Sequence, residues 1–181
     1  MKSNESVQSL LERAVELLTD DDLDGAMASL QQAEANCTQM TDKIHLTYML
    51  DQKARTLQDR ENLTGALILL QEGERICAEL GDTVGLTNSL SRQALILSAQ
   101  EDMEGALALF ERQANILRES ESYDLLVFSL GGQVYMLSEE MNRPKEAEPL
   151  AEEAYRLAKS YVDFMTEPMK QLLDSVRAKL T

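Results

Sequence analysis

The stretch LDGAMASL at residues 23–30 recurs as LTGALILL at residues 63–70 and as MEGALALF at residues 103–110. A weaker copy, PKEAEPLA, occupies residues 144–151. The alanines that align in the four copies are 40, 40 and 41 residues apart. Self-similarity at a nearly fixed period of this size indicates a repeat architecture, in which each repeat is one small structural unit.

A second series of apolar residues precedes each copy at the same period. Its members are spaced i, i+4 and i+7, which places them on one face of an α-helix. The recurring stretches themselves continue into another helical stripe, so each repeat is predicted to be two amphipathic helices joined by a short polar turn. The preceding series comprises Leu10, Ala14 and Leu17, then Leu50, Ala54 and Leu57, then Leu90, Ala94 and Leu97, and finally Leu130, Val134 and Leu137.

The pattern predicts an all-α chain of eight paired helices and a ninth that caps the last pair. Gly81 suits the left-handed end of a helix, and Asp82 can cap the helix that follows. Thr166 is predicted to cap the ninth helix, and Pro168 lies in its first turn, where a missing N–H costs little. The predicted helices span residues 5–19, 24–39, 44–59, 64–79, 84–99, 104–119, 123–139, 145–160 and 167–180.

Composition excludes several classes of function. Lys and Arg number 17 against 32 Asp and Glu, which gives a formal charge of −15 and disfavours contact with nucleic-acid phosphates. The single His leaves almost no candidate for a catalytic base or a His-rich metal site. No apolar run approaches the roughly 20 residues of a membrane-spanning helix. We therefore expect a cytoplasmic protein that is not an enzyme and has no cofactor, metal site or membrane partner.

The two cysteines, Cys37 and Cys77, lie forty residues apart at equivalent positions of two repeats. Two thiols at this spacing are neither a disulfide framework nor a Cys-x-x-Cys pair. Repetition of a packing position explains the spacing, so both are predicted to be small buried residues on second helices.

The paired helices resemble tetratricopeptide repeats, in a variant whose period is about 40 residues as in kinesin light chains and many bacterial regulators. The resemblance covers roughly residues 6–161. It is carried by two series of small residues that match the positions where this family's paired helices touch. These series are Ala14, Ala54 and Ala94, and Ala26, Ala66, Ala106 and Ala147.

The resemblance implies one right-handed superhelical array over residues 1–181. Its repeats are expected at about 5–40, 44–80, 84–120 and 123–161, with a capping helix at 166–181. In this family a concave groove lined by the first helix of each pair holds a peptide or helix of a partner. By repeat spacing, that groove falls on Leu11, Val15, Tyr48, Asp51, Arg55, Asn88, Arg92, Leu95, Phe128 and Tyr135.

Several interpretations of these groove positions stay open. The aromatic residues are either binding anchors or packing residues at repeat junctions. Arg55 and Arg92 either bind a carboxylate of a partner or pair with a nearby carboxylate such as Asp51. Adjacent glycines at 131 and 132 inside a predicted helix indicate either the close approach of a partner's backbone or a bend.

The sequence therefore predicts a protein-interaction module that acts as a scaffold or adaptor. Two alternatives use the same fold: a sensory module that binds a small signalling peptide, and an array that forms a homodimer. Arrays that bind the acidic tails of chaperones place Lys and Asn where this chain has Leu11 and Val15, so that particular ligand is disfavoured despite the matching Asn88 and Arg92.

Overall fold

The computed structural model of the protein describes residues 6–37 and 39–180. Within these residues there are nine α-helices and no β-strand, which confirms the predicted all-α class. A π-helix, Met136–Glu140, follows the seventh α-helix, and a short 3₁₀ helix, Asp163–Met165, precedes the ninth. The α-helices are α1 (Val7–Thr19), α2 (Leu23–Ala35), α3 (Met40–Asp59), α4 (Leu63–Leu80), α5 (Thr83–Ala99), α6 (Met103–Glu119), α7 (Tyr123–Tyr135), α8 (Pro144–Tyr161) and α9 (Thr166–Ala178).

The chain divides between Ser89 and Leu90, inside α5, into two compact units. In the first unit α1 packs on α2 and α3 packs on α4. In the second unit α7 packs on both α6 and α8, and α9 packs on α8. Three of the predicted pairs, α1 with α2, α3 with α4 and α7 with α8, are thus observed, while the arrangement of all four pairs as one array stays a prediction.

The predicted apolar stripes form the core of each unit. In the first unit Leu10, Ala14, Leu50, Ala54 and Leu57 are essentially inaccessible to solvent. In the second unit the stripe residues Leu90, Ala94, Leu130, Val134 and Leu137 are also buried. The remaining stripe residue of each unit, Leu17 in the first and Leu97 in the second, is half-buried. The four aligned alanines of the second helices are all completely buried. Ala94 and Ala106 belong to the same small cluster, as expected for small residues where paired helices touch.

From Glu61 to Glu121 the turns between helices recur every twenty residues, half the period of the helix pairs. Asp21, Glu61, Gly81, Glu101 and Glu121 have positive φ angles of 54–68° and end the helices before them. The residue after each left-handed residue donates its backbone N–H to a carbonyl five residues back in the helix, as when Asp82 donates to the carbonyl of Cys77 at 2.9 Å. The predicted helix end at Gly81 is therefore confirmed.

Most of these turns also begin the next helix with a side-chain cap. Asp22, Asn62, Asp82 and Asp102 each accept a hydrogen bond from the backbone N–H of a glycine three residues later, at 2.8–3.0 Å. Such a bond satisfies one of the N–H groups left free at a helix start. The predicted cap at Asp82 is confirmed.

We expect the replacement of Glu101 by glycine to raise the free energy of unfolding by about 0.5–1 kcal/mol, because a left-handed backbone is costly for a residue with a Cβ atom. Glu101 is exposed and has a φ of 64°. Urea unfolding measures the change. Gly81→Ala is the matched control, since it introduces a Cβ at the equivalent turn and should lower stability. A destabilised Glu101→Gly protein would contradict this account of the turns.

The π-helix accommodates the one extra residue of the fourth repeat. Leu137 keeps the forty-residue spacing from Leu97, whereas the left-handed residue Asn142 lies 41 positions after Glu101. The intervening turn is widened, and Met141 donates a backbone hydrogen bond to the carbonyl of Met136 at 2.9 Å, five residues back. The prediction of α-helix up to residue 139 was therefore wrong for the last four residues.

Three further boundary predictions need correction. Helix α2 ends at Ala35, four residues before the predicted end, so Cys37 follows the helix and is only half-buried. Helix α3 begins at Met40, four residues before the predicted start, and the Met40 side chain is exposed. Thr166 is the first residue of α9 and not its cap. Residue 5, where the first helix was predicted to start, and residues 38 and 181, included in predicted elements, lie outside the described part of the chain.

Candidate interaction surfaces

The predicted groove residues divide into buried and exposed groups. Leu11 is 1% exposed and Val15 is 8% exposed, so both belong to the core of the first unit and cannot present a side chain to a partner. The other eight predicted residues are half-buried or exposed, and four of them lie in each unit.

In the first unit the candidate residues lie on the solvent side of α3 and the first half of α5. The Tyr48 ring is 61% exposed, and Asn88 is exposed. Arg55 pairs with Asp51 one helical turn away, with 3.3 Å between the guanidinium Nε and a carboxylate oxygen. Of the two interpretations of Arg55, the structure shows the local pair.

Two apolar residues on this side of the first unit were missed. Ile44 lies one turn before Tyr48 on α3, and Val84 occupies the equivalent position on α5. Both are exposed. The forty-residue offset between them is a sequence signal that could have identified both.

In the second unit the exposed candidates are Leu95 on α5 and two aromatic residues on α7. Phe128 is 48% exposed and Tyr135 is 52% exposed, and their spacing of seven residues places them on the same side of the helix. Arg92 is half-buried and engaged with other groups of the protein. Rings this exposed are not packed at a repeat junction, so that interpretation does not apply to Phe128 and Tyr135.

Phe164 joins this surface without having been predicted. It lies in the 3₁₀ helix, is 73% exposed, and its ring centroid is 6.4 Å from that of Phe128. Aromatic pairs at this separation attract each other directly. Because Phe164 lies after the last repeat, no periodic pattern could have identified it.

The two glycines of α7 have different surroundings. A Cβ atom on Gly132 would lie 3.2 Å from the ring of Phe110, so this glycine allows α6 to approach closely. A Cβ on Gly131 would meet the Met169 thioether of α9 at 3.6 Å, an ordinary contact. The approach to Gly132 therefore comes from the protein's own Phe110, whereas internal packing does not require a glycine at position 131.

Tyr135 also interacts with the end of the π-helix. A hydrogen bond to the Glu140 carboxylate, together with its negative charge, raises the pKa of the Tyr135 phenol. The phenol therefore stays protonated at neutral pH and presents an O–H group next to a carboxylate.

Many cations of this acidic chain are paired with its own carboxylates. In the first unit Arg75 on α4 contacts Glu34, Glu72 and Glu79, and Lys43 contacts Glu34 at 2.8 Å. The hydrogen bond from Lys43 is the main reason that the pKa of Glu34 is lowered. In the second unit similar pairs join Arg118 to Glu153, Arg143 to Glu104 and Glu146, Arg177 to Glu148 and Glu152, and Lys179 to Glu139.

The described residues contain neither a metal-binding cluster nor a cysteine thiol with a lowered pKa. No group of three or more His, Cys, Asp or Glu side chains within 6–37 and 39–180 is arranged to hold a metal ion. The Cys77 thiol is buried, and burial is the main cause that raises its pKa to about 11. None of the helices in the described ranges is both long and apolar enough to cross a membrane.

Comparison with solved structures identifies the architecture. A protein of Podosopora anserina, described as a kinesin light chain with nearly identical TPR-like repeats, superposes with a TM-score of 0.53 at 15% identity. The match covers 99% of this chain and 97% of that one. The chain has the TPR-like repeat fold. This confirms the fold predicted from the repeated alanines and leucines.

A second solved structure with this fold is the aspartyl phosphate phosphatase F of Bacillus subtilis. It matches with a TM-score of 0.64 at 12% identity over 94% of this chain. The chain corresponds to only 48% of that phosphatase, about half its length. No family model matches the sequence, and no curated protein matches it. At these identities the likeness concerns the fold alone.

Proposed function

We propose that this TPR-like protein is an interaction module that binds a peptide or a helix of a partner protein. The binding surface is the solvent side of the first helices, α3, α5 and α7, as the resemblance implies. The observation that carries the proposal is the exposure of large aromatic side chains at equivalent positions: Tyr48 on α3 and Phe128 on α7 lie two repeat periods apart.

An exposed aromatic ring is unfavourable in water, and it contributes strongly to the binding free energy when a partner covers it. The chain has only five Tyr, three Phe and no Trp. Tyr48, Phe128 and Tyr135 are all on the solvent side of first helices. Aromatic residues dominate binding energy because they bury a large area at small conformational cost.

We propose a scaffold or adaptor in the cytoplasm that is not an enzyme and binds neither nucleic acid nor membranes. The −15 charge supports the exclusion of nucleic acid. The lack of a metal-binding cluster and of an activated thiol in the described ranges leaves catalysis without support there.

Affinity purification from the source cell tests the proposal with a double variant, Tyr135→Ala with Arg92→Ala. The tagged wild-type protein should recover a specific partner, and the double variant should lose it while its helicity by circular dichroism is retained. Leu23→Ala, which removes an exposed apolar side chain at the start of a second helix, is the matched control and should keep the partner. Equal recovery by all three proteins would refute the proposed surface.

Two alternatives give different results in solution. If the exposed apolar residues form a homodimer, light scattering should give twice the chain mass of 20.3 kDa. If the module senses a small peptide, a cognate peptide from a library should raise the midpoint of thermal unfolding through binding linkage. A monomer that responds to no peptide but retains a protein partner matches the primary proposal.

A further inference from the structure

The exposed side of α7 combines two aromatic rings with a glycine between them. Gly131 lies three residues after Phe128 and four before Tyr135, so all three share one helical face. Gly131 is half-buried, and the Met169 side chain lies beside it. Phe164 extends the apolar area next to Phe128. We call these residues, Phe128, Gly131, Tyr135 and Phe164, the aromatic face.

Glycine at position 131 carries a cost that internal packing does not explain. A glycine inside a helix is less favourable than alanine, and an alanine methyl group would make only ordinary contacts with Met169 here. Among the described residues, Met169 is the one neighbour outside the glycine's own stretch of helix that comes within 4 Å of that Cβ position, and Gly131 is half-buried, so part of the space between Phe128 and Tyr135 stays open. A polarizable Met side chain beside this space suits an apolar group of variable shape.

The charged residues closest in sequence to Phe128 and Phe164 are acidic. Asp124 lies one turn before Phe128 on α7, Asp163 directly precedes Phe164, and Glu167 follows Phe164 by three residues. All three are exposed, and none forms an ion pair with another residue in the ranges 6–37 and 39–180. No Lys or Arg lies within four positions of Phe128 or Phe164, and Lys170 is the first to follow Glu167.

These carboxylates differ from many others in the second unit. Glu104, Glu146, Glu148, Glu152 and Glu153 are all held by arginines of the same unit. Asp124, Asp163 and Glu167, by contrast, are exposed to solvent and available to a partner. Complementary charge selects partners and speeds their encounter, so this surface favours cations and disfavours acidic segments.

We propose that the aromatic face binds a cationic amphipathic helix of a partner protein. One apolar side chain of that helix lies over Gly131 between the rings of Phe128 and Tyr135. Lys or Arg residues beside it face Asp124, Asp163 and Glu167. This inference rests on the proposed function, because it names the chemistry of a partner that binds the first-helix side.

The test uses two synthetic amphipathic helices, one built only from leucine and lysine, the other with glutamate in place of every lysine. Fluorescence anisotropy measures the binding of each labelled helix to the full chain. The wild-type protein should bind the lysine helix and not the glutamate helix. Asp163→Asn with Glu167→Gln should weaken binding of the lysine helix about tenfold, whereas neutralising the exposed Asp20 and Asp24 of the first unit should have little effect.

Gly131→Ala separates binding from folding. The added methyl group should raise the midpoint of thermal unfolding and yet weaken binding of the lysine helix about tenfold, because it occupies the space above the backbone. Gly73→Ala is the matched control: Gly73 is also inside a helix, and a Cβ there would meet the Ser89 hydroxyl at an ordinary 3.6 Å. That variant should leave binding unchanged.

The outcomes separate this inference from the proposed function. Unchanged binding by a folded Gly131→Ala variant overturns the inference. Equal binding of both helices, each weakened by Gly131→Ala, overturns the charge selection but leaves an interaction surface on the first helices. Unchanged partner recovery in the affinity purification would overturn the proposed function itself.

Discussion

Replacing Leu130 with alanine is expected to lower the free energy of unfolding by about 2–5 kcal/mol. Leu130 is fully buried in the core of the second unit, where it belongs to one cluster with Leu117 of α6, Ala154 of α8 and Met169 of α9. The substitution removes apolar contacts to three helices at once and leaves a cavity that rigid helix pairs cannot close. Urea unfolding followed by circular dichroism measures the loss.

Phe128→Ala is the matched control for this experiment. Phe128 precedes Leu130 by two residues on α7, but its ring is exposed and contacts Phe164. Its removal should change the free energy of unfolding by only about 0.5–1 kcal/mol, since substitutions away from the core have small effects. Equal destabilisation by the two variants would mean that the exposed ring is part of the core, and would contradict its assignment to a binding surface.

Replacing Ala106 with leucine is expected to lower the free energy of unfolding by about 1–3 kcal/mol. Ala106 on α6 has no exposed surface and packs in a cluster with Ala94, Phe110 and Met136. A larger side chain there forces the helices of the pair apart, because helix separation is set by the size of the residues at the contact. Thermal and urea unfolding both report the change.

Ala108→Leu tests whether the position, and not the leucine, causes this effect. Ala108 lies two residues further along α6 and is exposed. Leucine and alanine are both good helix formers, so this variant should remain near wild-type stability. If Ala106→Leu is tolerated as well as Ala108→Leu, the aligned alanines do not mark close helix contacts and the basis of the repeat assignment is wrong.

The helix pairs and their core could be predicted because the repeat displays the same packing rule four times. A single Leu or Ala carries little information, but Leu10, Leu50, Leu90 and Leu130 at one spacing indicate a shared environment, and all four are buried. The turn at Gly81 and Asp82 was predictable for a local reason: glycine favours a positive φ angle, and aspartate accepts from a helix N-terminus.

Features that break the repeat were not predictable from it. The extra residue of the fourth repeat was visible as the spacing of 41 between Ala106 and Ala147, but a turn could have accommodated it as readily as the π-helix does. The early end of α2 moved Cys37 out of its expected helix, although Cys77 is buried as predicted. A repeated spacing indicates equivalent positions in the repeats, but the residue at which an individual helix ends can still differ from one repeat to the next.

The candidate surface was predicted less completely than the core. The family pattern identified Tyr48, Phe128 and Tyr135 as groove positions, and all three are exposed. It also assigned Leu11 and Val15, which are buried, because the pattern does not record which apolar residues another helix covers. Phe164 became a candidate only when the structure placed its ring beside Phe128, a contact between residues far apart in the chain.

The claim that a partner binds the solvent side of the first helices is tested most directly by photo-crosslinking in the source cell. A photoreactive phenylalanine analogue replaces Tyr135 on α7 or, in the control, the exposed Glu111 on the second helix α6. The account predicts a discrete crosslinked partner from position 135 and none from position 111. A crosslink from position 111 alone, or none from either position when the partner still co-purifies, would contradict it.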